Sequence, residues 1–153
     1  MNPPPTRPEI IKASLIQAAT NTVINAAINY FMVRGKDVHY ITADSITASG
    51  SDTVIGHSVF LAVSLAVIFT LLGFKSLRPV LPNVTWGQVI PTAVKNGIYA
   101  FGLVIIFGVL WQRVFPDLTI GTVGAALIAG GIAGVASGVT NYTTVTRLLE
   151  RFQ

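Results

Sequence analysis

Ile55–Phe74 reads IGHSVFLAVSLAVIFTLLGF, a run without an acidic, lysine or arginine side chain and with few polar groups. About 20 consecutive apolar residues suffice to cross the hydrocarbon core of a bilayer, so this stretch predicts a transmembrane helix. Composition says the same of the whole chain. It has 153 residues, 52% hydrophobic and only 10% charged, with a mean hydropathy of +0.66. A soluble domain is about 25% charged. The chain is therefore expected to be an all-α integral membrane protein.

Three further stretches approach spanning length. Residues 10–33 form the most polar of them, 92–111 have an apolar centre IYAFGLVIIFGVLW, and 118–142 are rich in Gly and Ala. Four spans, at about 10–33, 55–74, 92–111 and 118–142, make a single domain. The opening MNPPPTRPE (1–9) precedes any apolar run and reads as a short disordered arm rather than a signal peptide. Residues 34–54 form the largest loop, in which VHYIT has the β-branched and aromatic character of a short extended segment or hairpin. The link KSLRPVLPNVTWGQVIP (75–91) is too polar to span, and its Trp86, Val89 and Ile90 are expected to rest on the membrane surface. Residues 143–153 continue the last helix as a tail.

The basic residues sort by side. Arg7, Lys12, Lys75, Arg78, Lys95, Arg147 and Arg151, seven of the 10 Lys and Arg, fall on the side of the termini, and Arg34, Lys36 and Arg113 on the other. The positive-inside rule then puts both termini in the cytoplasm, with 34–54 external, in a membrane of the bacterial inner (plasma) type. The +4 net charge is scattered and forms no basic run, which argues against a nucleic-acid partner and for membrane orientation. A faint echo joins PEIIKASL (8–15) to PTAVKNGI (91–98), each opening an odd-numbered span. Shared boundary chemistry accounts for it more readily than duplication does.

Two patterns stand out within the spans. Gln17, Asn21, Asn25 and Asn29 follow one another at intervals of four. Each step turns a helix by about 400°, so the four carboxamides share one face. An unsatisfied amide in hydrocarbon costs several kcal/mol, so that face must meet protein or water. Either the amides bond neighbouring helices or they line a wet path. In the last span, Ala126, Gly130, Gly134 and Gly138 repeat with the same period. Such a small-x-x-x-small face lets helix backbones approach closely, against a helix of the same chain or of another copy.

Other chemistry finds little footing. Cysteine is absent, which removes disulfides and thiolate sites. Asp37, His39, Asp44, Asp52 and His57 match no metal-binding spacing, and Asp52 or Thr53 is expected to cap the second helix. No cofactor or metal is implied. The span centres carry no Asp or Glu, the groups on which proton and sodium coupling typically rest. No catalytic motif is present, so an enzyme is not expected. Two readings follow. One is a pore-like facilitator, assembled as a homo-oligomer, with an amide-lined first helix. The other is a non-catalytic accessory or assembly subunit whose partners are other membrane subunits and lipid.

Overall fold

A computed structural model describes residues 3–35, 39–40, 54–115 and 119–152. Among these it is helical apart from short connections. The helices are α1 (Arg7–Val33), α2 (Val54–Leu77), α3 (Trp86–Val114) and α4 (Thr122–Phe152). The last three are each long and apolar enough to cross a membrane, so the chain reads as an integral membrane protein. The carboxamides of α1 keep it below the hydropathy of the other three.

Local chemistry sets the helix ends. At the start of α1 the Thr6 backbone N–H and hydroxyl both donate to Glu9 Oε2, at 2.7 and 2.8 Å. The same Thr-x-x-Glu/Gln arrangement opens α3, where the Thr85 N–H donates to Gln88 Oε1 at 2.8 Å. A side chain at the third helical position thus satisfies a donor that the helix itself leaves free. α1 ends where Gly35 takes φ of 100°, a conformation that costs glycine no Cβ clash.

The cap at Thr85 corrects the expectation for 75–91. α2 runs on to Leu77 and α3 begins at Trp86, so the connection is only 78–85. Trp86 stands edge-on to Phe74, ring centroids 4.7 Å apart, and Val89 is fully buried. Of the three residues expected on the surface, only Trp86 and Ile90 keep substantial exposure. The echo also loses its register. Pro8 is the second residue of α1, whereas Pro91 lies inside α3.

The helices lie in the spatial order α1–α4–α2–α3, with α4 packed on both α1 and α2 and α2 also on α3; α3 and α4 touch only slightly. A short antiparallel pairing joins the two connections at the far end. His39–Tyr40 (β1) meets Thr119–Ile120 (β2), with His39 opposite Ile120. Within VHYIT, His39 and Tyr40 thus pair with the α3–α4 connection.

Two apolar clusters fill the interior. One, at the end of the bundle where α1 begins and α4 finishes, gathers Ile10, Phe74, Leu77, Leu81, Val89 and Leu148 among others. The second centres on Ile55, Val59, Ala62 and Val104, with Ile120, Ile128 and Ile132 against it.

Candidate functional site: a polar layer and the amide row

Between these clusters lies a layer of polar side chains drawn from all four helices. In α2, Thr70 sits between the two apolar regions. In α3 the corresponding residue is Asn96, and in α4 it is Thr144. The Asn96 amide nitrogen donates to Thr70 Oγ1 at 2.9 Å and to Thr144 Oγ1 at 3.0 Å. Thr70 in turn donates to its own helix, at Ala66 O, 2.7 Å away. Both hydrogens of one carboxamide are therefore committed to two different helices. One turn back along α4, the Asn141 amide nitrogen donates to Ser14 Oγ of α1 at 3.0 Å. Gly73 of α2 leaves the space beside it: a Cβ there would stand 3.5 Å from Asn141 Oδ1.

All five side chains, Ser14, Thr70, Asn96, Asn141 and Thr144, are buried. None of them titrates in the physiological range. The layer can fix helix positions, since each amide bonds only where its partner hydroxyl arrives. It offers no acid, base or activated nucleophile.

The amide row of α1 does something different. Asn21 Nδ2 donates to Gln17 O at 2.9 Å, Asn25 Nδ2 to Asn21 O at 2.9 Å, and Asn29 Nδ2 to Asn25 O at 2.8 Å. Each amide folds back on the helix that carries it, bonding the backbone carbonyl of the previous member of the row. Asn25 and Asn29 are buried, at 7% and 3% exposure, while Gln17 and Asn21 are half-buried. Gln17 begins the row, and its Nε2 is buried without a partner.

The glycines of α4 lie against α1. A Cβ on Gly130 would come within 2.6 Å of Thr22 O and 2.7 Å of Ala26 Cβ. On Gly134 it would run into Thr22 Oγ1 and stand 2.8 Å from Ala18 O, and on Gly138 it would stand 2.8 Å from Ala18 Cβ. Ala126, one turn earlier, is also buried. The facing residues Ser14, Ala18, Thr22 and Ala26 form a second row of small side chains with the same period. The sequence analysis did not single out this row as a packing face.

Asn96, Thr70 and Thr144 were likewise not singled out from the sequence. Each is a lone polar residue in an otherwise apolar stretch. The signal available was depth: the three occupy matching positions between the same two apolar regions, and buried polar groups in hydrocarbon need partners. Among the described residues no group of three or more His, Asp or Glu is placed to hold a metal ion. Asp37, Asp44, Asp52 and Thr53 lie outside the described residues, as do the side chains of His39 and His57.

Compared with protein-family models, with curated proteins and with solved structures, the chain matches none.

Proposed function

We propose that this chain is a non-catalytic accessory or assembly subunit of a larger membrane complex, with α1 as a fourth span and both termini cytoplasmic. The reading rests chiefly on Asn25 and Asn29. The inner half of the amide row is buried within a single chain, and its N–H groups are committed to α1's own carbonyls. A row that lined a water path would hold those groups toward solvent. The polar layer supports the same role, because it orders the helices and carries no reactive group. Leu15, Ile16, Val23, Ile24, Ile28 and Phe31 leave a broad apolar face of α1 exposed, on the helix with the weakest claim of its own to the bilayer. A neighbouring subunit would cover that face. The orientation follows from the seven basic residues on the side of the termini.

A pore-like facilitator built from several copies is the second reading, and Gln17 favours it. Its buried, unpartnered amide nitrogen is a donor that water in a path would satisfy.

Purification of the tagged full-length chain from its native membrane in mild detergent separates the two. A stoichiometric heteromer is the expected result. A symmetric homomer that passes small neutral solutes in liposomes, and stops doing so on Asn25→Leu, would overturn the accessory reading in favour of the facilitator.

A further inference from the structure

Because α3 and α4 touch only slightly, a groove of about 530 Å³ opens between them. Its walls are apolar for most of its length, with Leu103 and Phe107 of α3 facing Ile128 and Val135 of α4. At the end where α3 begins, the lining turns polar: Asn96, Thr143 and Arg147. Arg147 also lines a second cavity of about 780 Å³, in which it is joined by Lys95 of α3 and by Arg151 and Glu150 of α4. One arginine thus stands where an apolar groove meets a cleft holding three cations and one carboxylate.

We propose that this pair of cavities binds an anionic phospholipid, with an acyl chain in the α3–α4 groove and the phosphate in the cleft beside Arg147. At about 1.5 Å of rise per residue, Ile128 to Arg147 covers roughly 28 Å, against a hydrocarbon core of about 30 Å. The groove is therefore long enough for a chain from one leaflet. The polar end lies at the level of the chain's basic belt, where headgroups sit if the bundle spans the membrane. The excess of positive charge in the cleft selects an anionic over a zwitterionic headgroup, as basic pockets between transmembrane helices do. Glu150 tempers that excess without cancelling it. Lys95 lies over the Tyr99 ring at 5.5 Å, which holds its ammonium at the rim where cleft and groove meet. Both hydrogens of the Asn96 amide are engaged within the bundle, so only its oxygen is left to a groove occupant, and the recognition of charge falls to the basic side chains.

The test uses the full chain in detergent micelles, with native mass spectrometry to count retained phosphatidylglycerol against phosphatidylcholine of identical acyl chains. The wild type is expected to retain the anionic lipid at least several-fold better. Arg147→Gln, at an exposed position, removes the preference and leaves phosphatidylcholine retention unchanged. Gly131 lines the groove, and a Cβ built there meets nothing within 4 Å. Gly131→Leu therefore directs bulk into the groove, and lowers retention of both lipids. Equal retention of the two lipids by the wild type would overturn the proposal. So would unchanged phosphatidylglycerol retention in both variants, or a lipid-free dimer in which a second copy covers the groove.

Discussion

A Cβ built on Gly130 of α4 would lie 2.6 Å from the carbonyl oxygen of Thr22 on α1, closer than any real side chain could sit. At Gly131, the next residue and about 100° further round the same helix, a Cβ would meet nothing within 4 Å. The obstacle at Gly130 is backbone on the opposing helix, together with Ala26, and backbone cannot rotate away as a flexible side chain can. Relief requires the two helices to separate along the whole contact. Gly130→Ala is therefore expected to destabilise the protein by about 1–3 kcal/mol, the range typical of overpacking. Gly131→Ala is expected to be neutral, or to stabilise by up to about 1 kcal/mol through helix propensity. Equilibrium unfolding of both variants in mixed micelles checks the pair. Equal effects at the two positions would refute the close approach of α1 and α4.

Asn96 of α3 bonds two other helices at once, donating to Thr70 of α2 and to Thr144 of α4. Interhelical hydrogen bonds in membrane proteins average about 0.6 kcal/mol and reach about 1.7, so Asn96→Leu is expected to cost about 1–2 kcal/mol. A double-mutant cycle with Thr144→Val isolates the α3–α4 contact. Since those helices otherwise touch little, the coupling between the two changes should be positive and measurable. Strict additivity would mean that the Asn96–Thr144 bond is absent in the membrane.

The helical membrane architecture was legible because apolar length is a direct physical requirement of the bilayer, and α2, α3 and α4 show it without interruption. The α1 reading was legible in spacing but not in outcome. A four-residue period puts Gln17, Asn21, Asn25 and Asn29 on one face, which suits a shared lining. It is also the interval over which a helical side chain reaches the carbonyl one turn back, and the structure uses it that way. Spacing in α4 announced a close contact at Gly130, Gly134 and Gly138 but could not say with what. The answer lay in Ala18, Thr22 and Ala26, residues too ordinary in composition to be noticed. Thr70, Asn96 and Thr144 make no pattern along the chain at all, since their relationship exists only once three helices are set side by side. The Thr85 cap was legible in principle, as Thr-x-x-Gln, but the polar character of the link drew it longer than it is.

Asn25 gives the opposite expectation to Asn96. Its amide hydrogen bond closes on the Asn21 carbonyl of the same helix, a carbonyl that the helical ladder already serves. Removing the amide detaches no other helix. Asn25→Leu keeps the number and branching of the side-chain heavy atoms and should change stability by less than about 1 kcal/mol, since hydrogen bonds within membrane proteins average only about 0.6. Thermal unfolding of Asn25→Leu beside Asn96→Leu, in the same detergent, compares them directly. A larger loss at Asn25 would show that its oxygen holds a partner across an interface, and would raise the weight of an assembled amide row.

The start of α1 responds to acid. Thr6 donates its backbone N–H and its hydroxyl to the Glu9 carboxylate, and these bonds hold the Glu9 carboxyl below its ordinary value of 4.5. A carboxyl whose folded value is depressed binds protons less readily when folded than when unfolded. Its contribution is complete above the ordinary value and fades as pH falls through the lower, folded one. The group is fully exposed, so the consequence is local: the first turn of α1 loosens below about pH 4.5, and the bundle remains. Glu9→Gln keeps a carbonyl oxygen for Thr6 to donate to and removes the titration. In spectra of protein labelled at Thr6, the wild-type backbone N–H resonance should move as pH falls through the range below 4.5, and the variant's should stay fixed. A Thr6 resonance that titrates identically in both proteins would show that the Thr6–Glu9 bonds do not form in solution.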